Sequence, residues 1–300
     1  MLKNSSSTTI GVLFAILGII FFSAKAVLVK LAYQYHVDYL TLLLFRMTFS
    51  VPFYIIIAFW KKPKAKNSIR VTDWVWLFFF GFIGYYLASL FDFMGLQYLT
   101  AGLERIILFI YPTIVVLLSW IFFKKKLTKN QFIAIIVTYI GVLVAFWDEI
   151  GLKGDDVILG GFFIFLSAVT YASYLVGSGW LIPKFGMMQF TSYAMIVSTI
   201  VVCIHFLFQG NYDVFHYPKE VYWLGLAMAI FSTLIPSFLV SAAIERLGAS
   251  TFSIFGSLGP ISTILLAFVF LDERITMLQI VGMCIVIVGV TFISLKKSKG

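Results

Sequence analysis

Six charged side chains lie within stretches of the sequence that are otherwise almost entirely apolar. They are Lys25, Lys30, Arg46, Asp92, Glu104 and Arg105, and together they carry a formal surplus of two positive charges. An ionised group in lipid costs about 2.5–3.5 kcal/mol on insertion scales, so such groups usually face a polar cavity or one another. Arginine and lysine complement carboxylate and phosphate groups. The set therefore predicts a binding site for a small molecule with an anionic group, either an amino-acid-like zwitterion or an organic anion.

Each of these residues also fits a structural role. Thr100 is a suitable N-cap, and the acid Glu104 would then lie in the first turn of a helix, where the helix dipole favours it. The side chains of Arg105 and Lys30 are long enough to reach a membrane interface. A further alternative is ion pairing between helices, as Arg46–Asp92 or Lys25–Glu104. Lys25 lies deep in its stretch and is the member hardest to explain without a function.

Three tyrosines are candidates for an aromatic wall of the same site. Tyr85, Tyr171 and Tyr174 lie in the middle of apolar stretches, where a hydroxyl group requires a partner. Tyr171 and Tyr174 are three residues apart and so share one face of a helix. The alternative is polar packing between helices.

Three prolines are candidates for bends or gates. Pro112, Pro236 and Pro260 lie inside apolar stretches. Each lacks a backbone N–H group, which leaves a carbonyl free and permits a helix to bend.

Ten apolar stretches must position these residues, roughly 10–33, 39–60, 74–97, 101–123, 130–147, 157–181, 190–208, 221–244, 249–271 and 277–295. The chain is 61% hydrophobic and 12% charged, against about 45–50% and 25% in soluble domains. A membrane helix needs about 20 apolar residues, and lipid requires that every backbone polar group be satisfied internally. The alternating pattern of barrel strands is absent. The sequence predicts an all-α membrane protein with ten transmembrane helices.

The charged loops predict an orientation. With ten spans both termini lie on one side, and the segments on that side carry 15 Lys and Arg residues against three on the other. The positive-inside rule then places both termini in the cytoplasm, and the pattern suits a bacterial inner membrane. The net charge of +9 is explained by this topology rather than by binding to nucleic acid.

An internal repeat divides the chain into halves of residues 1–150 and 151–300. A shift of 148 residues, without a gap, superposes Pro112 on Pro260, Thr128 on Thr276, Gln131 on Gln279 and Gly141 on Gly289. Five spans in each half force the two halves to be inverted relative to each other. Inverted repeats are typical of secondary transporters, whose binding site lies at the repeat interface.

The two repeated blocks carry a resemblance to a known family. LTAGLERIILFIYPTIVVLLSW and LGASTFSIFGSLGPISTILLAFVFLDERIT resemble EamA-type members of the drug/metabolite transporter superfamily. The resemblance implies ten helices, cytosolic termini, and a cavity lined by the first, third, fourth, sixth, eighth and ninth helices. It also implies transport of amino acids or other small metabolites. The family's Glu after the proline-containing helix is matched by Glu273, whereas Lys125 replaces it in the first half.

Other functions have weaker support. The sequence contains no HExxH motif, P-loop or catalytic set, so we expect neither an enzyme nor a bound cofactor or metal. A channel and a non-transporting membrane protein are the main alternatives, and a membrane-embedded enzyme is a weaker one. Cys203 and Cys284 lie within spans and are interpreted as packing residues. The expected partners are a small-molecule substrate and the lipid bilayer. Proton coupling through Asp92 or Glu104 competes with facilitated transport or exchange.

Overall fold

The computed structural model describes residues 5–60, 69–123, 129–153, 155–211, 213–256 and 258–295. These residues form helices and no strand. The α-helices are α1 Ser5–Tyr33, α2 Tyr39–Trp60, α3 Val71–Gly81, α4 Ala88–Leu96, α5 Ala101–Leu108, α6 Tyr111–Phe123, α7 Lys129–Lys153, α8 Asp155–Phe185, α9 Met187–Gln209, α10 Lys219–Ala229, α11 Ile235–Leu247, α12 Ala249–Phe255, α13 Leu258–Leu271 and α14 Met277–Leu295. Two π-helical segments, π1 Phe82–Leu87 and π2 Ile230–Leu234, join α3 to α4 and α10 to α11.

The helices have the length and composition of membrane spans. Within the described residues, seven are long and apolar enough to cross a membrane: Thr8–Tyr33, Tyr39–Trp60, Val71–Leu96, Ala101–Phe122, Asp155–Phe185, Met187–Gln209 and Lys219–Leu247. Three shorter apolar helices cover Gln131–Ala145, Leu258–Leu271 and Met277–Thr291. Large apolar side chains such as Phe59 and Phe208 are more than 80% exposed, as expected of surfaces that face lipid. The protein is therefore an all-helical integral membrane protein.

The core forms between the two halves of the chain. Helix α1 packs against α11 and α13, α2 against α9, α4 against α8, and α7 against α14. Each of these pairs joins a helix from the first 153 residues to one from the remainder. A site in this core is consequently built by residues that are distant in sequence.

Two predicted spans are broken rather than continuous, which corrects the expectation of single helices over 101–123 and 249–271. A turn at Phe109 and Ile110 separates α5 from α6, and α12 ends at Phe255 before α13 begins at Leu258. Pro112 and Pro260 lie in the first turns of α6 and α13, where a missing N–H group costs no helical hydrogen bond. The two breaks are about 148 residues apart, as the repeat requires.

The two π-helical segments are also separated by the 148-residue interval of the repeat. Segment π2 begins 148 residues after π1, and Pro236 is the second residue of the helix that follows π2. Short π-helical insertions are rare and frequently accompany functional sites, because the extra residue in the turn redirects side chains. Segment π1 contains Tyr85, one of the predicted site residues. The gating role of the three prolines remains a prediction.

Helices α7 and α14 approach each other closely at small residues. A Cβ atom added to Gly282 would lie 2.5 Å from the carbonyl oxygen of Gly141 and 2.6 Å from Cβ of Ala145. Such backbone-to-backbone contact is available only to small residues and drives helix association in lipid. Lys125 and most of the loop lysines that predict the orientation lie outside the described residues.

We expect Gly282→Ala to lower the thermal stability of the detergent-purified protein. The added methyl group meets backbone atoms that cannot yield, and overpacking of this kind costs about 1–3 kcal/mol. The control is Gly179→Ala, whose methyl group would lie 3.5 Å from Cβ of Ala249 in ordinary contact. Differential scanning fluorimetry compares the two variants. An unchanged melting temperature for Gly282→Ala would contradict the close approach of α7 and α14.

Candidate functional site

Lys25 on α1 and Asp92 on α4 form an ion pair in the core. Nζ of Lys25 lies 2.8 Å from Oδ2 of Asp92, and the Asp92 side chain is fully buried while that of Lys25 is 10% exposed. At this distance the ammonium group and the carboxylate are in direct contact. The alternative pairings Arg46–Asp92 and Lys25–Glu104 are not the ones observed.

Glu104 and Arg105 lie one turn into α5. Thr100 caps this helix, because its Oγ1 accepts a hydrogen bond from the Leu103 N–H group at 3.2 Å. Glu104 is fully buried and lies within hydrogen-bond reach of the Asp92 carboxyl group. Both Glu104 oxygens lack a donor among the described residues, although Oε2 is 3.7 Å from Nε of Arg105. Two buried carboxyl groups therefore face each other between two cations.

Arg105 and Lys30 both donate hydrogen bonds within the protein. Arg105 donates hydrogen bonds to Oγ1 of Thr263 and to the carbonyl oxygen of Phe22, both at 3.0 Å. Nζ of Lys30 donates to the carbonyl oxygens of Leu96 and Leu99 at 3.2 and 3.0 Å. The interface explanation for these two residues remains a prediction. Arg105 joins α5 to α13, and Lys30 satisfies carbonyl groups at the end of α4.

Arg46 on α2 is a buried cation that forms no ion pair with a carboxylate of the described residues. Its side chain is almost completely buried, and no described carboxylate oxygen lies within 4.0 Å of its guanidinium group. Nε donates to Oγ1 of Thr233 at 2.6 Å, Nη1 donates to Oγ of Ser89 at 3.0 Å, and the group lies 5.6 Å from the Phe93 ring centre. Thr233 lies in π2, and Ser89 lies in the first turn of α4, directly after π1.

The three predicted tyrosines belong to one aromatic cluster. Tyr174 donates a hydrogen bond to the Tyr85 hydroxyl at 3.1 Å, and their ring centres are 4.7 Å apart. Tyr171 stacks against Tyr174 at 6.4 Å and makes an edge contact with Tyr111 at 5.2 Å. Gly84 permits this arrangement, because a Cβ atom there would overlap Cβ of Tyr174. Tyr111 was not among the predicted residues.

These groups surround a narrow cavity between the two halves. Among the predicted residues, those that line it are Lys25, Arg46, Tyr85, Arg105 and Tyr171. Asp92, Glu104 and Tyr174 lie behind them. The second half also contributes Phe252, Gly256 and Gly259. About 70 Å³ is open to the centre of a water-sized molecule, enough for a few waters. In this conformation a larger molecule fits only if the helices move apart.

Hydroxyl partners are the part of the site that the sequence did not reveal. Thr233, Ser89 and Thr263 accept hydrogen bonds from the two arginines. Ser and Thr are common in apolar helices, where they usually bond to their own backbone. Neither spacing nor composition separates these three from the others. The π-helical segments would have identified two of them, but nothing in the residue types signals a π-helix.

Glu273 has a role that its place at a helix exit did not suggest. It follows α13, and its carboxylate oxygens accept hydrogen bonds from the backbone N–H groups of Ala101 at 3.0 Å and Gly102 at 3.2 Å. These are free N–H groups at the start of α5, where a negative charge is favoured by the helix dipole. The carboxylate thus ties the second half to the helix that carries Glu104 and Arg105.

The described residues contain no group of three His, Cys, Asp or Glu side chains placed to hold a metal ion. Cys203 and Cys284 are free thiols on α9 and α14. The chemistry of the site rests on charge pairing and hydrogen bonding.

We expect Glu273→Gln to lower the thermal stability by about 0.5–2 kcal/mol, the usual value of a helix cap with its charge. Glu273→Ala should lower it further, because both N–H groups then lose their acceptor. The matched control is Glu245→Gln, whose side chain is 46% exposed and 3.9 Å from Arg246. Melting curves of the purified variants provide the measurement. Equal melting temperatures for Glu273→Gln and the control would show that the cap contributes nothing.

Comparison with known proteins finds one family for both halves of the chain. Residues 9–147 and 158–295 match the profile of the EamA-like transporter family. The Bacillus subtilis (strain 168) protein named uncharacterized transporter YcbK is 28% identical over 298 residues, which covers 96% of this chain and 95% of that protein. The Synechocystis protein named uncharacterized transporter sll1319 is 25% identical over 321 residues, which covers 98% of this chain and 95% of that protein.

The fold also has a counterpart among solved structures. One crystal structure superposes with a TM-score of 0.65 at 16% identity, and the match covers 99% of this chain and all of the other. At this identity the likeness concerns the fold alone.

Proposed function

Because the chain belongs to the EamA-like transporter family, we propose that it is a secondary transporter, which moves a small metabolite with an anionic group by alternating access. The observation that carries this proposal is the environment of Arg46. A buried guanidinium group without a carboxylate partner is costly to maintain, and this one lines a cavity. A carboxylate of the substrate is the natural partner, since it accepts two parallel hydrogen bonds from arginine. An amino-acid-like zwitterion and an organic anion both satisfy this requirement.

The proposed architecture is ten transmembrane helices in two inverted five-helix halves, residues 1–150 and 151–300. Its support is that equivalent positions of the repeat build the same cavity. Leu108 and Tyr111 line it from the first half, and Gly256 and Gly259 line it 148 residues later. Breaks and π-helical segments recur at the same interval. Helices interrupted in this way supply the flexible points at which one half rocks against the other.

The proposed location is a bacterial inner membrane with both termini in the cytoplasm. The support is the excess of lysine and arginine in the segments assigned to that side. Relatives of similar length occur in Bacillus subtilis and Synechocystis.

The first test is counterflow in liposomes with two carboxylate probes, 3-phenylpropionate and phenylalanine. We expect saturable uptake of at least one labelled probe, accelerated by the same compound inside. Arg46→Gln should raise the half-saturation concentration about 10- to 100-fold, the value of a hydrogen bond to a charged group. Arg274→Gln, at an exposed position, is the control.

Three other outcomes would each contradict the proposal. Uptake that does not saturate would indicate a channel. Uptake equal to that of protein-free liposomes for both probes would indicate a protein that does not transport carboxylates. Equal uptake kinetics for Arg46→Gln and the control would show that Arg46 does not contribute to substrate binding.

We infer that transport is coupled to a proton held between Asp92 and Glu104. The support is that each of these facing carboxyl groups has one cation neighbour, Lys25 or Arg105, and that both cations line the cavity. Two carboxyl groups that share a site favour a state with one proton between them. A substrate anion attracts Lys25 and Arg105 and so weakens their interaction with the carboxyl pair. The pair then takes up the shared proton in place of the positive charge that it has lost. An anion and a proton would then cross together.

Glu104→Gln tests this coupling, because the amide fills the same space and cannot titrate. We expect uptake driven by an inward proton gradient to fall to the level without a gradient, while counterflow persists. The control is Glu220→Gln, at the start of α10 and outside the cluster. Fluorescence of a pH dye inside the liposomes reports proton entry with the substrate. Gradient-driven uptake that survives in Glu104→Gln would exclude this residue from coupling.

A further inference from the structure

The cavity presents cations and no acid. Its charged lining residues in the described part of the chain are Lys25, Arg46 and Arg105. The two carboxyl groups of the cluster, Asp92 and Glu104, do not line the cavity and lie behind these cations. Asp92 and Glu104 are 0% exposed and lie next to Lys25 and Arg105. An ammonium group of a ligand therefore meets three positive side chains before it can approach a carboxylate.

Three polar oxygens at the cavity are already engaged by protein donors. Oγ of Ser89 already accepts a hydrogen bond from Arg46, and the hydroxyl oxygen of Tyr85 accepts one from Tyr174. The carbonyl oxygen of Phe22 accepts from Arg105. Each of these three acceptors already serves a protein donor, and the three cations of the wall repel an ammonium group. The charge of the wall therefore favours the carboxylate of an amino acid over its amino group.

The uncharged part of the wall is mainly aromatic. Phe22, Tyr85, Phe109, Tyr111, Tyr171 and Phe252 line the cavity. Ring planes meet nearly edge to face, at 78° for Tyr111 with Tyr171 and 76° for Phe109 with Tyr111. Aromatic groups prefer edge-to-face and offset contacts with one another. A flat aromatic body therefore suits this wall better than a saturated one of similar size.

We propose that the cavity selects aromatic carboxylates without an amino group over the corresponding α-amino acids. The proposal deepens the proposed function and depends on it, because it specifies which carboxylate-bearing molecule the cavity takes. Lys25, Arg46 and Arg105 supply the attraction for the carboxylate and the discrimination against the ammonium group. The tyrosines and phenylalanines of the wall supply the preference for a ring.

The test is a thermal-shift titration of the full-length purified protein with four matched probes. 3-Phenylpropionate, phenylalanine and phenethylamine share one ring and differ in charge, while 3-cyclohexylpropionate keeps the carboxylate and lacks the aromatic face. A ligand that binds the folded state raises the melting temperature by an amount that grows with the logarithm of one plus the ratio of ligand concentration to Kd, so the concentration dependence ranks the affinities of the probes. We expect 3-phenylpropionate to bind at least about tenfold more tightly than phenylalanine, and several-fold more tightly than 3-cyclohexylpropionate.

The outcomes separate this inference from the proposed function. Equal or tighter binding of phenylalanine, still lost in Arg46→Gln, would overturn the inference and leave the proposed function intact. Equal or tighter binding of 3-cyclohexylpropionate would overturn the aromatic preference. Binding of phenethylamine alone would overturn both the inference and the proposed function. Absence of any shift with 3-phenylpropionate would overturn the inference whichever other probe binds.

Lys25→Met provides a second, independent measurement. Removing this cation leaves the Asp92 carboxylate next to the cavity without its partner at 2.8 Å. We expect the preference for 3-phenylpropionate over phenylalanine to fall from about tenfold toward unity, because the ammonium group gains a counter-ion. Lys184→Met, which removes a cation outside the cavity, should keep the wild-type ratio. An unchanged ratio in Lys25→Met would contradict the proposed discrimination.

Discussion

The buried charge of Arg46 constrains the rest of the structure. A guanidinium group in the core of an apolar bundle loses its hydration, and it persists only if its N–H groups are satisfied. Two hydroxyl groups meet this requirement, and they come from opposite halves of the chain, Ser89 from the first and Thr233 from the second. Both halves must therefore be in place before α2 can hold this residue in the interior. The same division holds for Arg105, whose acceptor Thr263 lies in the second half.

The two halves share a fold but have divided the chemistry. The repeat preserves the π-helical segments, the broken helices and the prolines that follow the breaks. The repeat does not preserve the charged residues of the first half at the equivalent positions of the second half. Glu104 corresponds to Phe252, and both positions lie at the same central region of the bundle. The first half thus supplies the cations and carboxylates of the site, while hydroxyl groups and aromatic side chains come from both halves. In the proposed inverted arrangement, such a division would allow symmetric motion and still permit binding of an asymmetric molecule.

Sequence reasoning found the helices and the members of the charged cluster, but not their connections. Apolar composition is sufficient to locate spans, since lipid permits few alternatives to a helix. The break at Phe109 and Ile110 escaped detection because neither residue disfavours a helix strongly, and Pro112 lies three residues further on. The pairing of Lys25 with Asp92 rather than Glu104 depends on how each helix is rotated about its axis. Rotation follows from packing at positions such as Gly84, which no single-sequence pattern reveals.

Under the proposed function, in which Arg46 binds and releases an anion repeatedly, hydroxyl partners suit this arginine better than a carboxylate would. A protein carboxylate beside Arg46 would compete with the substrate, and each binding event would have to break a buried ion pair. A hydroxyl group can keep one hydrogen bond to the guanidinium group while other N–H groups turn to the substrate. Arg46 is then held in place without being neutralised, so the anion of the proposed function would interact with its full charge and little reorganisation would be needed. The carboxylates of the cluster are kept one layer away, behind Lys25 and Arg105, where they moderate the charge of the cavity without occupying it.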